Sequence, residues 1–267
     1  MSKAPAIPAV EFNAVSLSFG TYVALRDVSF SIPRGQFTAL VGPTGSGKTS
    51  ILNLAAGLVP PAAGAVRTSG DPVKGVNRSA AYMFQQDALL PWKTSLENVL
   101  LGPLLRGVAR REAVREAERW MELVGLRGLE HRYPIQLSGG QRKRVAMAQA
   151  LINRLPLLLM DEPFSALDVQ TRALMENELL ALWQNSSATV LFVTHDLEEA
   201  IALSDRVILF SAGPETRIKS DYLVPFPRPR NVSEARFMPG FEDLYRRIWS
   251  DLKQEVMTSY ERSRAKA

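Results

Sequence analysis

Gly42-Pro43-Thr44-Gly45-Ser46-Gly47-Lys48-Thr49 fills every fixed position of a phosphate-binding loop. It follows an apolar run, Phe37–Val41, and precedes a helical pattern over residues 51–56. The glycines let the backbone curl so that N–H groups point at phosphate oxygens, and the following helix presents its positive end to them. In such a loop Lys48 neutralises the β- and γ-phosphates and the Thr49 hydroxyl binds Mg²⁺. The context therefore predicts a nucleoside triphosphate site rather than an ordinary glycine-rich turn.

The composition is that of an ordinary globular protein. Of the 267 residues, 46% are hydrophobic and 22% are charged, which predicts a packed core. The net charge of +5 is spread along the chain without a dense basic block, so it indicates solvated surface and phosphate contacts and no nucleic-acid partner. Cysteine is absent, which excludes a disulfide framework and thiolate chemistry.

No segment of the sequence has the pattern of a membrane span or a signal peptide. The first ten residues contain Pro5 and Pro8 and lack a long apolar core, so we do not expect a signal peptide there. The densest apolar stretch, residues 155–160, has the length of a strand and is too short to cross a bilayer. We therefore expect any membrane role to depend on a partner.

Strand patterns alternate with helical patterns along most of the chain. Short, uninterrupted apolar runs between helical stretches indicate a parallel sheet covered by helices on both faces. We predict strands at Val10–Phe19, 23–32, Phe37–Val41, 65–68, 80–84, 157–160, Thr189–Val193 and Arg206–Phe210. We predict helices at 51–57, 96–105 with a break at Gly102-Pro103, 110–124, 142–153, 169–183 and Leu197–Leu203.

The C-terminal part carries an amphipathic helix pattern. Pro225, Pro227 and Pro229 precede it and predict a stiff connecting segment, called the crossing below. Apolar residues then recur at helical spacing, at Phe241, Leu244, Tyr245, Ile248, Trp249, Leu252 and Val256. We predict that this stripe packs on the body of the same chain, and contact with a partner is the alternative that the pattern leaves open.

A pair of acidic residues ends the apolar run 157–160. Ligands of open α/β sheets bind at the carboxyl ends of the strands, which is where Asp161 and Glu162 are expected. Asp161 would hold Mg²⁺, directly or through water, and Glu162 would accept a proton from an attacking water. The alternative is an inert acidic pair that caps the strand, and the phosphate loop upstream argues against it.

A second phosphate-binding pattern lies at Leu137-Ser138-Gly139-Gly140-Gln141, directly before a helical stretch. A serine hydroxyl, two glycines and a helix N-terminus together bind anions well. One domain has little use for two such surfaces on one nucleotide, whereas two copies of the chain would use both. The alternative is simply an N-capped helix after a turn.

Together these motifs resemble those of the ATP-binding subunit of ABC transporters. Residues 137–141 match the signature sequence of that family, which is far more specific than a phosphate loop. Residues 165–168 match its D-loop, Thr194-His195-Asp196 its switch-histidine segment, and Phe84-Gln85 its Q-loop. The resemblance extends over residues 10–221, with all motifs in the order that the family has.

The resemblance implies an α/β fold, a P-loop ABC ATPase core with an antiparallel β-subdomain and a helical subdomain. The ATP-binding domain would extend over residues 1–230, with the helical subdomain at 86–155. Residues 231–267 would form the amphipathic C-terminal helix and tail, packed on the same domain.

The resemblance also implies the site residues of an ATPase whose cofactors are ATP and Mg²⁺. Glu162, His195 and Gln85 would take part in catalysis. Thr49, Gln85 and Asp161 would bind the metal ion. Phe19 would stack on adenine, with Tyr22 as the second choice. The nucleotide would be bound by Gly42, Pro43, Thr44, Gly45, Ser46, Gly47, Lys48 and Thr49 of one chain and by Ser138, Gly139, Gly140, Gln141 and Asp168 of another. The family thus implies a homodimer that closes on ATP and opens after hydrolysis.

The segment Leu89-Leu90-Pro91-Trp92-Lys93 follows the Q-loop, where the family receives the coupling helix of its membrane subunits. The alternative is that Trp92 packs onto the helical subdomain. This segment and the crossing at residues 225–230 look like the branch of importers for nitrate, sulfonates and taurine, in which nitrate, alkanesulfonates, taurine and pyrimidine-type vitamin precursors all stay open as the solute. That branch implies integral membrane permease partners, a separate extracytoplasmic solute-binding protein that selects the solute, and a peripheral position on the cytoplasmic face of the inner membrane.

A phosphate loop by itself is also compatible with two other functions. A P-loop kinase of a small molecule would need an acceptor site and has no use for residues 137–141. A soluble ABC-type ATPase that is not coupled to transport would carry a long coiled coil or two nucleotide domains, whereas this chain has one phosphate loop and too short an interval, residues 85–137, for a coiled coil.

Overall fold

The computed structural model describes residues 7–86, 88–165, 167–184, 186 and 188–264. Its strands are β1 Val10–Phe19, β2 Tyr22–Ile32, β3 Phe37–Val41, β4 Ala63–Thr68, β5 Asp71–Pro72, β6 Ala80–Met83, β7 Leu157–Asp161, β8 Thr189–Val193, β9 Arg206–Phe210 and β10 Ile218–Leu223. Its helices are α1 Lys48–Ala55, α2 Ser95–Leu105, α3 Arg110–Leu123, α4 Gly139–Leu151, α5 Val169–Gln184, α6 Leu197–Leu203, α7 Val232–Ala235 and α8 Phe241–Arg264, with a 3₁₀ turn at Pro134–Gln136.

The central sheet has the strand order β10-β9-β3-β8-β7-β6 among the described residues. Strands β9, β3, β8, β7 and β6 run parallel, and β10 is antiparallel to β9. Every residue of β3, β7 and β8 is buried, as expected for strands covered on both faces. Parallel strands bring their carboxyl ends to one edge, so the segments after β3, β6, β7 and β8 emerge side by side.

A smaller antiparallel sheet, in the order β2-β1-β4-β5, covers the phosphate-loop helix. Its apolar side chains form one cluster with α1 and with alternate residues of the central strands. Leu25 of β2 reaches Gly47, where an added Cβ atom would lie 2.8 Å from its Cδ2 atom. Gly47 also has a φ of 77° and therefore favours glycine for two reasons, space and backbone conformation. The α/β fold with an antiparallel sheet is as predicted.

Helices α2, α3 and α4 pack together beside the edge strand β6. The predicted break at Gly102-Pro103 is wrong, because α2 continues through both residues to Leu105. An added Cβ atom on Gly102 would lie 2.1 Å from Oδ1 of Asn153, so this glycine permits close packing of α2 against the end of α4. Pro103 falls in the last turn of α2, Arg106 is the C-cap, and Gly107 follows it with a φ of 83°.

The C-terminal helix α8 packs on α6 and β10 through part of the predicted stripe. Its buried residues are Phe241, Leu244, Ile248 and Leu252. Trp249 and Val256 were predicted to pack as well, but they are 48% and 44% exposed because they lie on the outer side of the helix. Asp251 accepts hydrogen bonds from Ser220 and Tyr222 of β10 and fixes the helix to the sheet edge. Among the described helices we find none that combines the length and apolarity needed to span a bilayer.

Candidate functional site

The phosphate loop lies between β3 and α1 and is wrapped around the ammonium group of Lys48. The Nζ atom donates to the carbonyl oxygens of Gly42 and Pro43, both at 2.9 Å, and lies 3.4 Å from Oγ of Ser46. Gly45 and Gly47 have φ values of 79° and 77°, which turn the backbone inward. The loop is therefore already shaped in this chain, with a cation at its centre.

The electrostatics of Lys48 suit an anionic ligand. Its side chain is 8% exposed, and this burial lowers the lysine pKa, while the carboxylates of Glu162 and Asp161 raise it. A buried ammonium group that donates to main-chain carbonyls and a serine hydroxyl, with two acids nearby, gains strongly from a phosphate at the loop.

Asp161 ends β7 and meets the first turn of α1. Burial raises the pKa of its carboxyl group, and a hydrogen bond from the Thr49 side chain opposes that rise. Glu162, next in the chain, raises the pKa further through its negative charge. A hydroxyl and a carboxylate that meet at one point provide the hard oxygen ligands that Mg²⁺ prefers.

Glu162 gathers the predicted catalytic residues around one oxygen. The Nε2 atom of Gln85, which follows β6, donates to Oε2 of Glu162 at 2.9 Å. The Nδ1 atom of His195, which follows β8, lies 3.4 Å from the same oxygen. Glu162 has a φ of 45°, an uncommon conformation for a side chain of this size, and such backbone strain clusters at functional sites. The three segments meet because their strands end at the same sheet edge.

The two aromatic candidates for adenine stacking face each other across the β1–β2 turn. Phe19 pairs with Tyr22, and the two are 54% and 45% exposed. A Cβ atom added to Gly213 would lie 3.1 Å from the Gly45 carbonyl oxygen and 3.4 Å from the Tyr22 hydroxyl. The Tyr22 hydroxyl and the phosphate loop thus both border Gly213, while Phe19 lies at the other end of the same turn.

The signature residues begin helix α4. Ser138 is its N-cap: Oγ accepts from the Gln141 N–H at 3.2 Å, and Oε1 of Gln141 accepts from the Ser138 N–H at 2.9 Å. The helix therefore starts at Gly139, three residues before the predicted start at 142, because this capping box closes its first turn. The first N–H groups of α4, those of Gly139 and Gly140, point out of the helix N-terminus, which is where helices bind anions.

Ser138, Gly140 and Gln141 share an open depression of about 380 Å³ with Asp168. The Oδ1 atom of Asp168 accepts from the Thr171 N–H at 3.0 Å, and this hydrogen bond lowers the pKa of the carboxyl group. Among the described residues that line the depression, none belongs to the phosphate loop. The D-loop residue Ala166 lies outside the described residues, and its neighbour Ser165 donates to the Glu162 carbonyl at 3.0 Å.

Sequence reasoning missed two buried groups beside these residues. Lys143 on α4 is 2% exposed and donates to the main-chain carbonyl of Gln85. Glu176 on α5 and Glu199 on α6 are 5% and 7% exposed and share a hydrogen bond. The sequence offers no signal for either group, because each residue looks like an ordinary charged position of a helix.

The Glu176–Glu199 pair lies behind the His195 segment. Burial, together with the charge of Glu199, raises the pKa of Glu176 to about 9, so Glu176 carries the shared proton. Burial also raises the pKa of Glu199. The hydrogen bond that the Thr194 hydroxyl donates to Glu199 lowers this pKa and so opposes the rise. Charges that face the pair from α5 and from the start of α6 are those of Arg172 and Asp196, which lie 3.6 Å apart.

Replacement of Glu176 by Gln tests this pair. The native chain keeps the Glu176 proton up to about pH 9, whereas an unfolded glutamate releases it near 4.5, so the free energy of unfolding falls as pH rises between these values. The amide of Gln still donates to Glu199, and it has no proton to release when the chain unfolds. We expect Glu176→Gln to stabilise the chain by about 1–3 kcal/mol at about pH 8.5, with the gain vanishing towards about pH 5. Urea unfolding at several pH values measures this, and a gain independent of pH would contradict it.

Known proteins are similar to this chain in sequence. The family model described as ABC transporter matches residues 25–165. A nitrate import ATP-binding protein of Synechococcus elongatus is 38% identical over 259 residues, which cover 91% of this chain and 93% of that protein. An aliphatic sulfonates import ATP-binding protein of Shigella flexneri is 42% identical over 236 residues, which cover 88% of this chain and 89% of that protein.

A solved structure is also similar. It is a dimeric ATP-binding cassette in a post-hydrolysis state, bound to ADP and Pi, and it superposes with a TM-score of 0.72 at 30% identity. The match covers 82% of this chain and all of that one. The predicted resemblance is therefore confirmed, and the chain belongs to the ABC transporter family as one of its ATP-binding, ATP-hydrolysing members.

Proposed function

We propose that this chain energises an importer for small anionic solutes of the nitrate and sulfonate type, as a homodimer that encloses ATP between its two copies. The observation that carries the proposal is the separation of two half-sites on one chain. Lys48, Asp161 and Glu162 form one of them, and the depression at Ser138 forms the other. Two copies facing each other in opposite directions would complete two ATP sites.

The residues at the loop suit a magnesium ion bound with ATP. The hydroxyl of Thr49 and the carboxylate of Asp161 already contact each other, and the Gln85 amide oxygen would be a further ligand. When bound, the ion neutralises charge on the β- and γ-phosphates. Phe19 or Tyr22 would stack on the adenine base at the β1–β2 turn.

The proposed hydrolysis needs one proton acceptor and fixed positions. Glu162 takes a proton from a water whose oxygen attacks the γ-phosphorus, while the bond from that phosphorus to the β–γ bridging oxygen breaks. The Gln85 amide and the His195 imidazole hold the Glu162 carboxylate and the water in line. Lys48 balances the negative charge that develops on the leaving ADP. The products, ADP and phosphate, no longer bridge the two copies, so the dimer opens.

The solved dimeric cassette with ADP and Pi bound supports a dimer of this chain that holds nucleotide. In the proposed dimer Ser138, Gly139, Gly140 and Gln141 of one copy meet the γ-phosphate held by Lys48 of the other. Asp168, which shares the depression, faces the same interface.

The surface that follows the Q-loop is proposed to bind a membrane permease subunit. Asn98 is fully buried, and its amide donates to the carbonyls of Leu90, Lys93 and Thr94, while its oxygen accepts from the Leu90 N–H at 2.7 Å. This clamp holds Trp92 outward with 70% of the residue exposed, rather than packed on the helical layer. A rigidly held, exposed tryptophan is a typical interface anchor.

Replacement of Trp92 by Ala tests this docking surface. Loss of an anchoring tryptophan costs about 2–4 kcal/mol of binding, or roughly 30-fold or more in affinity. We expect Trp92→Ala to lose most of the permease subunits that co-purify with the wild-type chain from detergent-solubilised membranes. Phe237→Ala is the matched control, because Phe237 is also exposed, at 78%, but lies in the C-terminal part. Equal recovery of permease with both variants would count against the surface.

The solute class rests on the relatives named for nitrate and aliphatic sulfonates import. We infer a permease on the inner membrane, with this chain on its cytoplasmic face and a solute-binding protein outside. Deletion of the gene should abolish uptake of one such oxyanion, and restoration by the wild-type gene would identify it. A soluble ATPase instead predicts normal uptake, and a kinase predicts ATP turnover only when an acceptor is added.

A further inference from the structure

We infer that Lys143 is a positioning residue that ties the signature helix α4 to the hydrolytic residues Gln85 and Glu162 of its own chain. The inference rests on the proposed function and adds a link between the two half-sites of one chain.

The burial of Lys143 is the first observation. It is 2% exposed, although an ammonium group is costly to remove from water unless it is well paired. Its Nζ atom donates to the main-chain carbonyl of Gln85, 58 residues away in the sequence. Its ammonium group also lies near enough to Asp161, the last residue of β7, for the two charges to attract each other. The group therefore lies between the signature helix and the carboxyl ends of β6 and β7.

The second observation is that Gln85 joins Lys143 to Glu162 through its main chain and its side chain. While its main chain accepts from Lys143, its side-chain amide donates to Oε2 of Glu162 at 2.9 Å. The position of the Gln85 backbone thus decides where the amide meets the proposed proton acceptor. A shift of about 1 Å in such a group is enough to lower turnover severely.

The third observation is where α4 begins. Ser138 is its N-cap and Lys143 lies five residues later, little more than one helical turn away. In the proposed dimer the Ser138 end contacts the nucleotide of the partner copy. A displacement of α4 on that contact would move the Lys143 ammonium and, with it, Gln85. Hydrolysis at one loop would then depend on the nucleotide bound at the other, which is positive coupling between the two sites.

Replacement of Lys143 by Met removes the donor but keeps an unbranched apolar stem. We expect kcat for ATP to fall about 10–100-fold while the Kd for ATP stays within about twofold. The dependence of rate on ATP should change as well, with a Hill coefficient well above 1 in the wild type and about 1 in the variant. Arg106→Met is the matched control, since Arg106 also donates to a main-chain carbonyl, that of Arg78 at 2.9 Å, far from these residues in the fold.

Two further variants separate positioning from general damage. In single-turnover assays Lys143→Met combined with Glu162→Gln should be no slower than Glu162→Gln alone, because the lysine acts through that carboxylate. The chain has no cysteine, so Lys143→Cys can be alkylated selectively with 2-bromoethylamine in denaturant and refolded. This treatment rebuilds an ammonium of nearly the same length and should restore kcat, whereas a neutral alkyl group should not.

Three results would overturn the inference: an unchanged kcat in Lys143→Met, additive losses in the combined variant, or a wild-type Hill coefficient of about 1. A wild-type chain that fails to hydrolyse ATP at all would instead count against the proposed function. The two failures are therefore distinguishable in the same set of assays.

Discussion

Glu162→Gln is expected to lower kcat for ATP hydrolysis about 10²–10⁴-fold, the contribution typical of a general base. Gln keeps the size of the side chain and one of its two acceptor oxygens but accepts no proton at neutral pH. The Gln85 amide and the His195 ring, at 2.9 and 3.4 Å from Oε2, would still find an oxygen there. The affinity for ATP should therefore change little, and ATP should stay bound.

Steady-state phosphate release and equilibrium binding of a labelled ATP measure the two quantities separately. Glu122→Gln is a suitable control, because Glu122 pairs with Arg127 on the exposed face of α3, and its replacement should leave both quantities unchanged. Turnover of Glu162→Gln within about twofold of the wild type would remove Glu162 from the proposed mechanism.

Lys48→Ala is expected to weaken ATP binding and to lower hydrolysis by about 10³-fold or more. Each hydrogen bond to a charged phosphate contributes about 1.5–3 kcal/mol, so the loss of one contact alone weakens binding roughly 10–100-fold. The same replacement leaves the carbonyls of Gly42 and Pro43 without the donor they now share. We therefore expect a small loss of thermal stability in addition.

Calorimetric titration with ATP, together with the melting temperature, separates these effects. Lys74→Ala serves as the control, because Lys74 is exposed and distant in the chain from the phosphate loop. In cells, Lys48→Ala should abolish uptake of the solute. Retained uptake, or ATP affinity equal to that of Lys74→Ala, would speak against the loop as the nucleotide site.

The sequence was most informative where chemistry requires a fixed spacing. Three motifs need particular residue types in a fixed order: the phosphate loop, the acids after residue 160 and the signature. From them the sequence predicts both the fold and the edge of the sheet at which ligands are expected. The parallel sheet then explains why Gln85, Glu162 and His195 meet, although they are far apart in the chain.

What could not be predicted depends on contacts between distant segments. Glycine is unfavourable inside a helix, which is why a break was expected at Gly102. In the structure Gly102 lies inside α2, where a Cβ atom would collide with the side chain of Asn153. Lys143 has the pattern of a solvated lysine until the Gln85 carbonyl is found opposite it. Glu176 and Glu199 are ordinary helix residues in sequence, and their shared proton exists only because α5 and α6 bury them together.

In the proposed dimer ATP lies between two copies, each of which provides half of the site. The molar mass of Glu162→Gln in solution, measured by light scattering with ATP and with ADP, tests this arrangement. We predict twice the chain mass of 29.5 kDa with ATP and the single mass with ADP. Adding Ser138→Arg to Glu162→Gln should keep the chain at the single mass although it still binds ATP. A single mass for Glu162→Gln with ATP, or a dimer that Ser138→Arg leaves intact, would contradict the claim.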